Sequence, residues 1–293
     1  MEQAETTLLP WPVRPDREPP SLLISAMSVI DDAYVAGAVA MAPLFSGGHD
    51  SICATYIASM HDTFSGEVHH IDTGIGAKAT RVFVEDVARE LGWRLLVHRS
   101  PATYERFVSR LGFPGPGSHQ WVYNWLKDRC VSAIVRERGR TALITGCREQ
   151  ESTRRMGNVE RVKVGETSRK SGKVTKRSRI WTAPCFDWSS AEQRAFMEYA
   201  DLPRNPIKES PLGMSGECFC GAFARPDEIA MIRQYAPDVA AEIDRLSVVA
   251  LMNGTHAVWG TRPDRARGVL VAASGQLCSS CDRRAAAAGL LFD

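Results

Sequence analysis

The sequence has no uninterrupted apolar run of about 18 residues, the length that a membrane-spanning helix needs. Its most apolar N-terminal stretch, residues 22–41, is broken by Asp31 and Asp32 and follows a polar, proline-rich start instead of a basic one. These absences argue against a signal peptide and against a membrane span. Strong net charge is lacking too: the chain carries +2 over 293 residues, so any basic surface must be local.

Cysteine is present, with eight residues, but nothing else in the sequence suggests an exported disulfide protein. We predict a cytoplasmic, reducing setting, in which cysteines serve as core residues or metal ligands. The length suffices for one large α/β domain with an appendage, and the composition is that of an ordinary globular protein.

The stretch LFSGGHDSICATYIASMHD, residues 44–62, has the pattern of a strand, a glycine turn and a helix. An apolar run over residues 38–45 stops at the SGG turn of residues 46–48, and a helical pattern begins near Asp50. The amides of such a turn and of the helix start favour a bound anion, while the Asp50 carboxylate can cap the helix or hold a cation. The candidate ligand-binding residues here are Ser46, Gly47, Gly48, Asp50 and Ser51.

Two other predicted strands end in polar turns. The strand at residues 67–71 ends in a DTG turn at residues 72–74, and the strand at residues 141–145 leads into GCREQESTRR, residues 146–155. The carboxyl ends of parallel strands meet at one edge of a sheet, where ligands bind, so both turns should lie beside the SGG turn. The alternation predicts an α/β fold, a doubly wound and mostly parallel sheet with helices on both faces, plus a cysteine-rich C-terminal extension.

Four cysteines occur as two close pairs, Cys218 with Cys220 and Cys278 with Cys281. Four thiolates can close a tetrahedral metal site, and packed or redox-active thiols are the alternative. Zinc and iron–sulfur clusters both accept four thiolates, so the ligand set alone leaves the metal open. Cys130 is a further candidate ligand, although a buried helical cysteine is the simpler interpretation of it.

Residues 160–179 form the most basic part of the chain and have the alternation of a hairpin. They are either a solvated surface excursion or a contact for the phosphate backbone of a nucleic acid. The basic residues are Arg161, Lys163, Arg169, Lys170, Lys173, Lys176, Arg177 and Arg179.

Several of these motifs resemble one family. The SGGHDS segment, residues 46–51, resembles the SGGxDS loop of the PP-loop ATP pyrophosphatases, an adenine nucleotide alpha hydrolase-like superfamily that includes the PAPS reductases. Residues 146–154 resemble the G-[IV]-R-x-x-E-S-x-R segment of PAPS reductase-like members. The D-W-S and N-P segments at residues 187–189 and 205–206 are also similar to segments of that family.

The resemblance implies roles for particular residues. Two positions depart from the pattern, because His49 stands where many members have lysine and Val122 stands where the reductases have cysteine. The implied catalytic candidates are His49, Asp50 and Arg148. The implied nucleotide-binding residues are Ser46, Gly47, Gly48, Asp50, Ser51, Asp72, Thr73, Gly74, Lys127, Gly146, Arg148, Glu151, Ser152 and Arg154, and the metal ligands are Cys218, Cys220, Cys278 and Cys281.

The resemblance also implies an adenine nucleotide such as ATP, Mg²⁺, and an iron–sulfur cluster with zinc as the alternative. We expect cleavage of ATP at the α-phosphate, giving AMP and pyrophosphate, to adenylate an acceptor for sulfur insertion, with DNA and RNA as candidate acceptors. One alternative is a sulfonucleotide reductase that releases sulfite, but no cysteine follows Cys281 to act as its nucleophile. The other is a non-catalytic nucleotide-binding partner protein.

We predict three regions along the chain. Residues 1–37 form an N-terminal arm and helix, residues 38–210 form the PP-loop nucleotide-binding domain, and residues 211–293 form a cysteine-rich region packed on it.

Overall fold

The computed structural model describes residues 21–151, 160–167, 171, 173–224, 227–260 and 277. The strands within these ranges are β1 (Ala40–Pro43), β2 (Glu67–Asp72), β3 (Arg94–Arg99), β4 (Thr141–Ile144), β5 (Val162–Thr167) and β6 (Val174–Thr182). The helices are α1 (Ser21–Val35), α2 (His49–Ser59), α3 (Lys78–Glu90), α4 (Tyr104–Leu111), α5 (His119–Tyr123), α6 (Arg129–Arg138), α7 (Ser190–Tyr199), α8 (Pro206–Glu209), α9 (Glu228–Tyr235) and α10 (Pro237–Met252). None of the helices described here is long and apolar enough to cross a membrane.

The strands form a mostly parallel layer. One sheet has the order β1-β4-β6-β5, in which only β5 is antiparallel to its neighbour, and a second sheet pairs β2 with β3 in parallel. A single parallel bridge between Leu44 and His69 joins the two sheets beside β1. The carboxyl ends of the five parallel strands therefore share one edge, and the predicted α/β class is confirmed.

Side chains of the central strands alternate between two cores. Met41, Ile144 and Ile180 face a cluster that includes residues of α1, α2, α3 and α7. Their neighbours Leu143 and Trp181 face a cluster that includes residues of α6. Parallel strands that are covered by helices on both faces are buried throughout, as β4 is.

A third core lies between α4, α5 and the chain beyond α8. Phe107 of α4, Phe219, Phe223, Leu246 of α10 and Trp259 all belong to it, and each is at most 5% exposed. The segment that contains Cys218 and Cys220 thus packs against α4.

The structure corrects the predicted secondary structure at several points. Helix α4 has no counterpart among the predicted elements. The pattern of residues 119–139 predicts one continuous helix with Trp121 on its apolar face, but the structure has a π-helical turn at Asn124–Asp128, between α5 and α6, and Trp121 is 62% exposed. The sequence also predicts a separate short strand at residues 180–185 after the hairpin, whereas β6 is one continuous strand.

Strands β2 and β3 bring two histidines together. Nδ1 of His69 lies 2.8 Å from Nε2 of His98, and the rings stack with their centroids 5.0 Å apart. A hydrogen bond between two imidazole nitrogens requires one of them to carry a lone pair. Burial, assisted by Arg138, lowers the pKa of His69 to about 3, and burial lowers the pKa of His98 as well.

This pair predicts a loss of stability in mild acid. Because unfolded histidine takes up its proton near pH 6.5 and folded His69 takes it up only near pH 3, the unfolding free energy should fall as the pH drops through this window. The slope is at most about 1.4 kcal/mol per pH unit for each histidine. Urea unfolding between pH 7 and pH 5 measures it, and His69→Gln should flatten the slope. Parallel slopes in the variant and the wild type would contradict the assignment.

Candidate functional site

The SGG turn follows β1, and hydrogen bonds of the Ser46 and Ser51 hydroxyls stabilise it. Ser46 Oγ donates to Ser51 Oγ at 3.0 Å, and Ser51 Oγ donates to the carbonyl of Gly48 at 2.8 Å. Gly47 has a φ of +82°, in the left-handed region that favours glycine. Gly48 is the N-cap of α2 and supplies no side-chain cap, so the first amides of this 11-residue helix are a favourable place for an anion.

Gly48 also faces a tight neighbour. A Cβ on this residue would lie 3.2 Å from Cβ of Ser215, three residues before Cys218. The SGG turn is therefore in contact with the segment that leads into the first cysteine pair.

Asp50 and Arg148 are brought together by the structure. Arg148 Nε donates to Asp50 Oδ1 at 2.5 Å, and the Gln193 side-chain amide donates to the same oxygen at 2.5 Å. The loop that carries Arg148 can approach because Gly146 has no side chain; a Cβ there would lie 2.3 Å from the Asp50 carbonyl carbon. Two of the three predicted catalytic residues thus bind each other, and Gly146 serves this approach of two backbones.

The buried side chain of Arg148 has other partners besides Asp50. Its Nη1 donates to the carbonyl of Trp188 at 3.2 Å and to Ser190 Oγ at 3.3 Å. Gln193, Trp188 and Ser190 were not among the predicted site residues. Only the position of Trp188 in the D-W-S segment connected it to the family pattern.

His49, the third catalytic candidate, begins α2 and is 9% exposed. Its Nε2 lies 3.1 Å from Oε1 of Glu209, in an orientation that makes no hydrogen bond. Burial lowers the pKa of His49, and Lys208 and Arg204 lower it further, against the opposing effect of Glu209. The imidazole is therefore neutral at pH 7, and this position carries no equivalent of a fixed lysine charge.

Asp72, at the end of β2, accepts hydrogen bonds from three neighbouring residues. Its Oδ1 accepts the N–H of Gly74 at 2.9 Å, and its Oδ2 accepts Arg81 Nη1 at 3.0 Å and Arg99 Nε at 2.8 Å. Burial opposes ionisation, but the Gly74 N–H and the Arg99 guanidinium hold the pKa of Asp72 below its usual value. Asp72 is thus a carboxylate that fixes two arginines.

A cavity of about 310 Å³ opens at this edge. Thr80 of α3 lines it, and Thr80 Cγ2 lies 3.0 Å from the place where a Cβ on Gly47 would be. Thr80 therefore stands between the cavity and the SGG turn, whose own residues do not line the cavity. The cavity walls also include His70, Asp72, Gly74, Gly76, Ala77, Lys78, Arg81, Arg99 and Glu217.

Lys127 lies in the π-helical turn, and its side chain is 5% exposed. Its Nζ donates to Glu217 Oε1 at 2.5 Å and to the carbonyl of Leu277 at 2.7 Å. Glu217 immediately precedes Cys218, and Leu277 immediately precedes Cys278. Lys127, which was expected to bind phosphate, therefore binds the residues that lead into the two cysteine pairs.

The first cysteine pair lies against the DTG turn. Thr73 Oγ1 donates to the carbonyl of Glu217 at 2.7 Å, and the Phe219 N–H donates to the carbonyl of Ile75 at 2.8 Å. Cys218 is partly exposed and Cys220 is buried. Within the described ranges no group of three or more His, Cys, Asp or Glu side chains is arranged to hold a metal.

Some predicted residues lie outside the described part of the chain. These are Ser152, Arg154, Arg169, Lys170, Cys278 and Cys281, together with the N-terminal arm at residues 1–20 and the side chain of Glu151.

Three other cysteines are core residues. Burial raises the pKa of Cys53 and of Cys185 well above the usual value, and it raises the pKa of Cys130 to about 11. None of the three is a thiolate at neutral pH.

The basic hairpin is partly neutralised. Arg179, 3% exposed, binds the carboxylates of Asp128 and Glu166 at 2.5 Å each, and Lys176 contacts the same two carboxylates. Arg161 pairs with Asp187, and Lys163 pairs with Glu160. Lys173 and Arg177 are exposed.

One solved structure that resembles the chain is the phosphoadenylyl-sulfate (PAPS) reductase from Candida auris in a phosphate complex, with 19% sequence identity and a TM-score of 0.47, covering 63% of this chain and 84% of that one. No curated protein matches. The family model of the phosphoadenosine phosphosulfate reductase domain matches residues 40–211, more than half of the sequence, and the chain therefore belongs to this family.

Proposed function

We propose that the chain is an enzyme that binds ATP between the SGG turn and the Asp72 edge and cleaves it at the α-phosphate to adenylate an acceptor for sulfur insertion. One observation carries the proposal: the start of α2 at Gly48, which has no side-chain cap, and the cavity of about 310 Å³ at the end of β2 lie on either side of Thr80. A helix start without a side-chain cap attracts phosphate, and the nearby cavity gives room for the nucleoside.

The chemistry needs charge stabilisation more than covalent participation by the protein. An oxygen of the acceptor attacks the α-phosphorus, the bond to the bridging oxygen breaks, and pyrophosphate leaves; a sulfur donor then displaces AMP. The amides of the SGG turn would stabilise negative charge on the phosphates. Mg²⁺ bound with the nucleotide would neutralise further charge, and Asp50 is the carboxylate of the site that could hold it.

Two features of the site fit this chemistry, one at Asp50 and one at His49. Both hydrogen bonds that Arg148 and Gln193 make to Asp50 fall on Oδ1, so they leave the second oxygen out. The neutral state of His49 makes it a candidate proton acceptor, in place of the fixed charge of a lysine.

The reductase alternative needs a thiolate to attack sulfur. Cys130 and Cys147 are buried, and the pKa of Cys130 is raised to about 11 by burial, so neither is a good nucleophile. Among the cysteines that the structure describes, Cys218 alone is partly exposed. We therefore prefer adenylation to sulfite release.

A metal centre held by Cys218, Cys220, Cys278 and Cys281 completes the proposal. Lys127 supports it, because one ammonium binds the residues that precede both pairs. An iron–sulfur cluster would deliver or activate sulfur, whereas zinc would tie the C-terminal region to the sheet.

The acceptor that we propose is a nucleic acid. The exposed Arg177 of β6 and the exposed Lys173 just before β6 support this. The four paired basic residues of the hairpin, however, leave less charge for a phosphate backbone than the sequence suggested.

The test is nucleotide turnover by anaerobically purified protein, with α-labelled ATP and Mg²⁺ and with or without DNA or tRNA. We expect release of AMP and pyrophosphate that a nucleic acid stimulates. As a control, the variant Asn253→Asp, at an exposed position, should turn over ATP as fast as the wild type. Iron, sulfide and zinc are measured on the same preparation.

Other outcomes would redirect the assignment. Sulfite release from a sulfonucleotide with a thiol donor, without ATP turnover, would establish the reductase. Binding of a nucleotide without either reaction would establish a non-catalytic partner protein.

A further inference from the structure

The side chain of Asn205 is completely buried, and each of its polar atoms is used. Its Nδ2 donates to the carbonyl of Gly47 at 2.9 Å and to the carbonyl of Ser215 at 2.9 Å. Its Oδ1 accepts the N–H of Ile207 at 2.9 Å and so caps the short helix α8. One amide therefore joins the SGG turn, the segment before Cys218 and the start of α8.

The bond to Gly47 fixes the direction of an amide in the turn. The carbonyl of Gly47 and the N–H of Gly48 belong to the same planar trans peptide, so they point in opposite directions. With the carbonyl held by Asn205, the Gly48 N–H points into the turn, where it donates a long hydrogen bond of 3.4 Å to Ser46 Oγ. Since Gly47 is free to adopt several backbone conformations, this peptide would otherwise rotate easily.

The second hydrogen bond of Asn205 holds Ser215, which packs against Gly48. Ser215 also accepts a hydrogen bond from Thr80 Oγ1 at 2.8 Å, and the next residue, Gly216, accepts the N–H of Ala77 at 2.7 Å. Ser215 is the residue that a Cβ on Gly48 would meet. The position of Ser215 against the turn therefore depends on the same amide.

We infer that Asn205 is a positioning residue of the nucleotide site, which holds the Gly47–Gly48 peptide with its N–H toward the phosphates and fixes Ser215 beside it. The inference rests on the proposed binding of an adenine nucleotide. It adds a residue that contacts no ligand and acts through the backbone of the turn.

Asn205→Asp separates the two roles of this side chain. The carboxylate keeps the acceptor for the Ile207 N–H, but it cannot donate to Gly47 and Ser215, and it repels their carbonyl oxygens. At pH 8 we expect the Kd for ATP, measured by calorimetry, to rise about tenfold or more, as the loss of a buried hydrogen bond predicts. At lower pH the protonated acid regains one donor, so the deficit should shrink toward pH 5.5, which a merely structural defect would not do.

Asn253→Asp is the matched control. The Asn253 amide is exposed and donates to the carbonyl of Val249 at 2.8 Å, so the same substitution removes a donor far from the turn. It should leave the Kd unchanged at both pH values. Thermal unfolding of each variant reports whether it is folded.

Two results would contradict the inference about Asn205. If the wild type binds ATP and folded Asn205→Asp binds it equally well at pH 8, the inference fails alone. If the wild type binds neither ATP nor a sulfonucleotide, the proposed function fails and the inference falls with it. Should Asn205→Asp not fold, Asn205→Ser keeps a capping oxygen and shortens the donor, and an unchanged Kd in that variant would equally overturn the inference.

Discussion

Replacing Gly48 with aspartate is expected to abolish the binding of adenine nucleotides and to leave the protein folded. Gly48 has φ −84° and ψ 157°, extended backbone that any residue adopts, and aspartate is a favoured N-cap. The new carboxylate would take up the first amides of α2 and repel the phosphates. At about 4 Å this repulsion is on the order of 3–4 kcal/mol for partly shielded charges, so the Kd should rise at least about a hundredfold.

Gly48→Asn is the control for size. It has the same shape without the charge, and it tests the approach to Ser215, whose Cβ is 3.2 Å from the added Cβ position. We expect it to weaken binding far less than Gly48→Asp, as measured by calorimetry with ATP. Equal losses in both variants would assign the effect to crowding, and wild-type affinity in Gly48→Asp would mean that the phosphates bind elsewhere.

The turn at Gly48 was predictable because all its determinants are local. The end of an apolar strand, two glycines and the start of a helical pattern lie within about ten residues, and α2 begins at His49, one residue from the expected position. The same local logic could have found α4: Thr103 caps it through the N–H of Arg106, and Tyr104, Phe107 and Val108 are buried with helical spacing.

Contacts between distant residues were not predictable from local patterns. The family resemblance implies that Arg148 and Lys127 bind the nucleotide. In the structure their partners are Asp50 and Glu217, which are separated from them by 98 and 90 residues. A guanidinium attracts a ligand phosphate and a protein carboxylate alike, so residue type alone cannot choose between them. The role of Asn205 depends in the same way on backbone carbonyls, which any residue supplies.

Breaking the buried pair of Arg148 and Asp50 is expected to cost about 3 kcal/mol of unfolding free energy. Their side chains are 8% and 15% exposed, so Arg148→Met leaves a buried carboxylate with Gln193 as a remaining donor, and Asp50→Asn leaves a buried guanidinium. The double variant should cost less than the sum of the two single variants, with a coupling of at least about 1 kcal/mol, in urea unfolding.

A surface pair provides the comparison. Arg233 binds Asp244 with two hydrogen bonds of 2.8 Å, but both side chains are more than half exposed, so Arg233→Met should cost no more than about 1 kcal/mol. Strict additivity of Arg148→Met and Asp50→Asn would contradict the coupling that the geometry implies.

The same two single variants and their double variant also show whether Arg148 contacts the bound nucleotide. If Arg148 acts only by holding Asp50, the double variant should bind ATP no more weakly than Asp50→Asn alone. If the guanidinium turns to the phosphates when the nucleotide is bound, as the family resemblance implies, Arg148→Met should weaken binding further in the Asp50→Asn background. The buried position of Arg148, with Trp188 and Ser190 fixing its second nitrogen, favours the first result, because a side chain held by three partners must release them to reach a ligand.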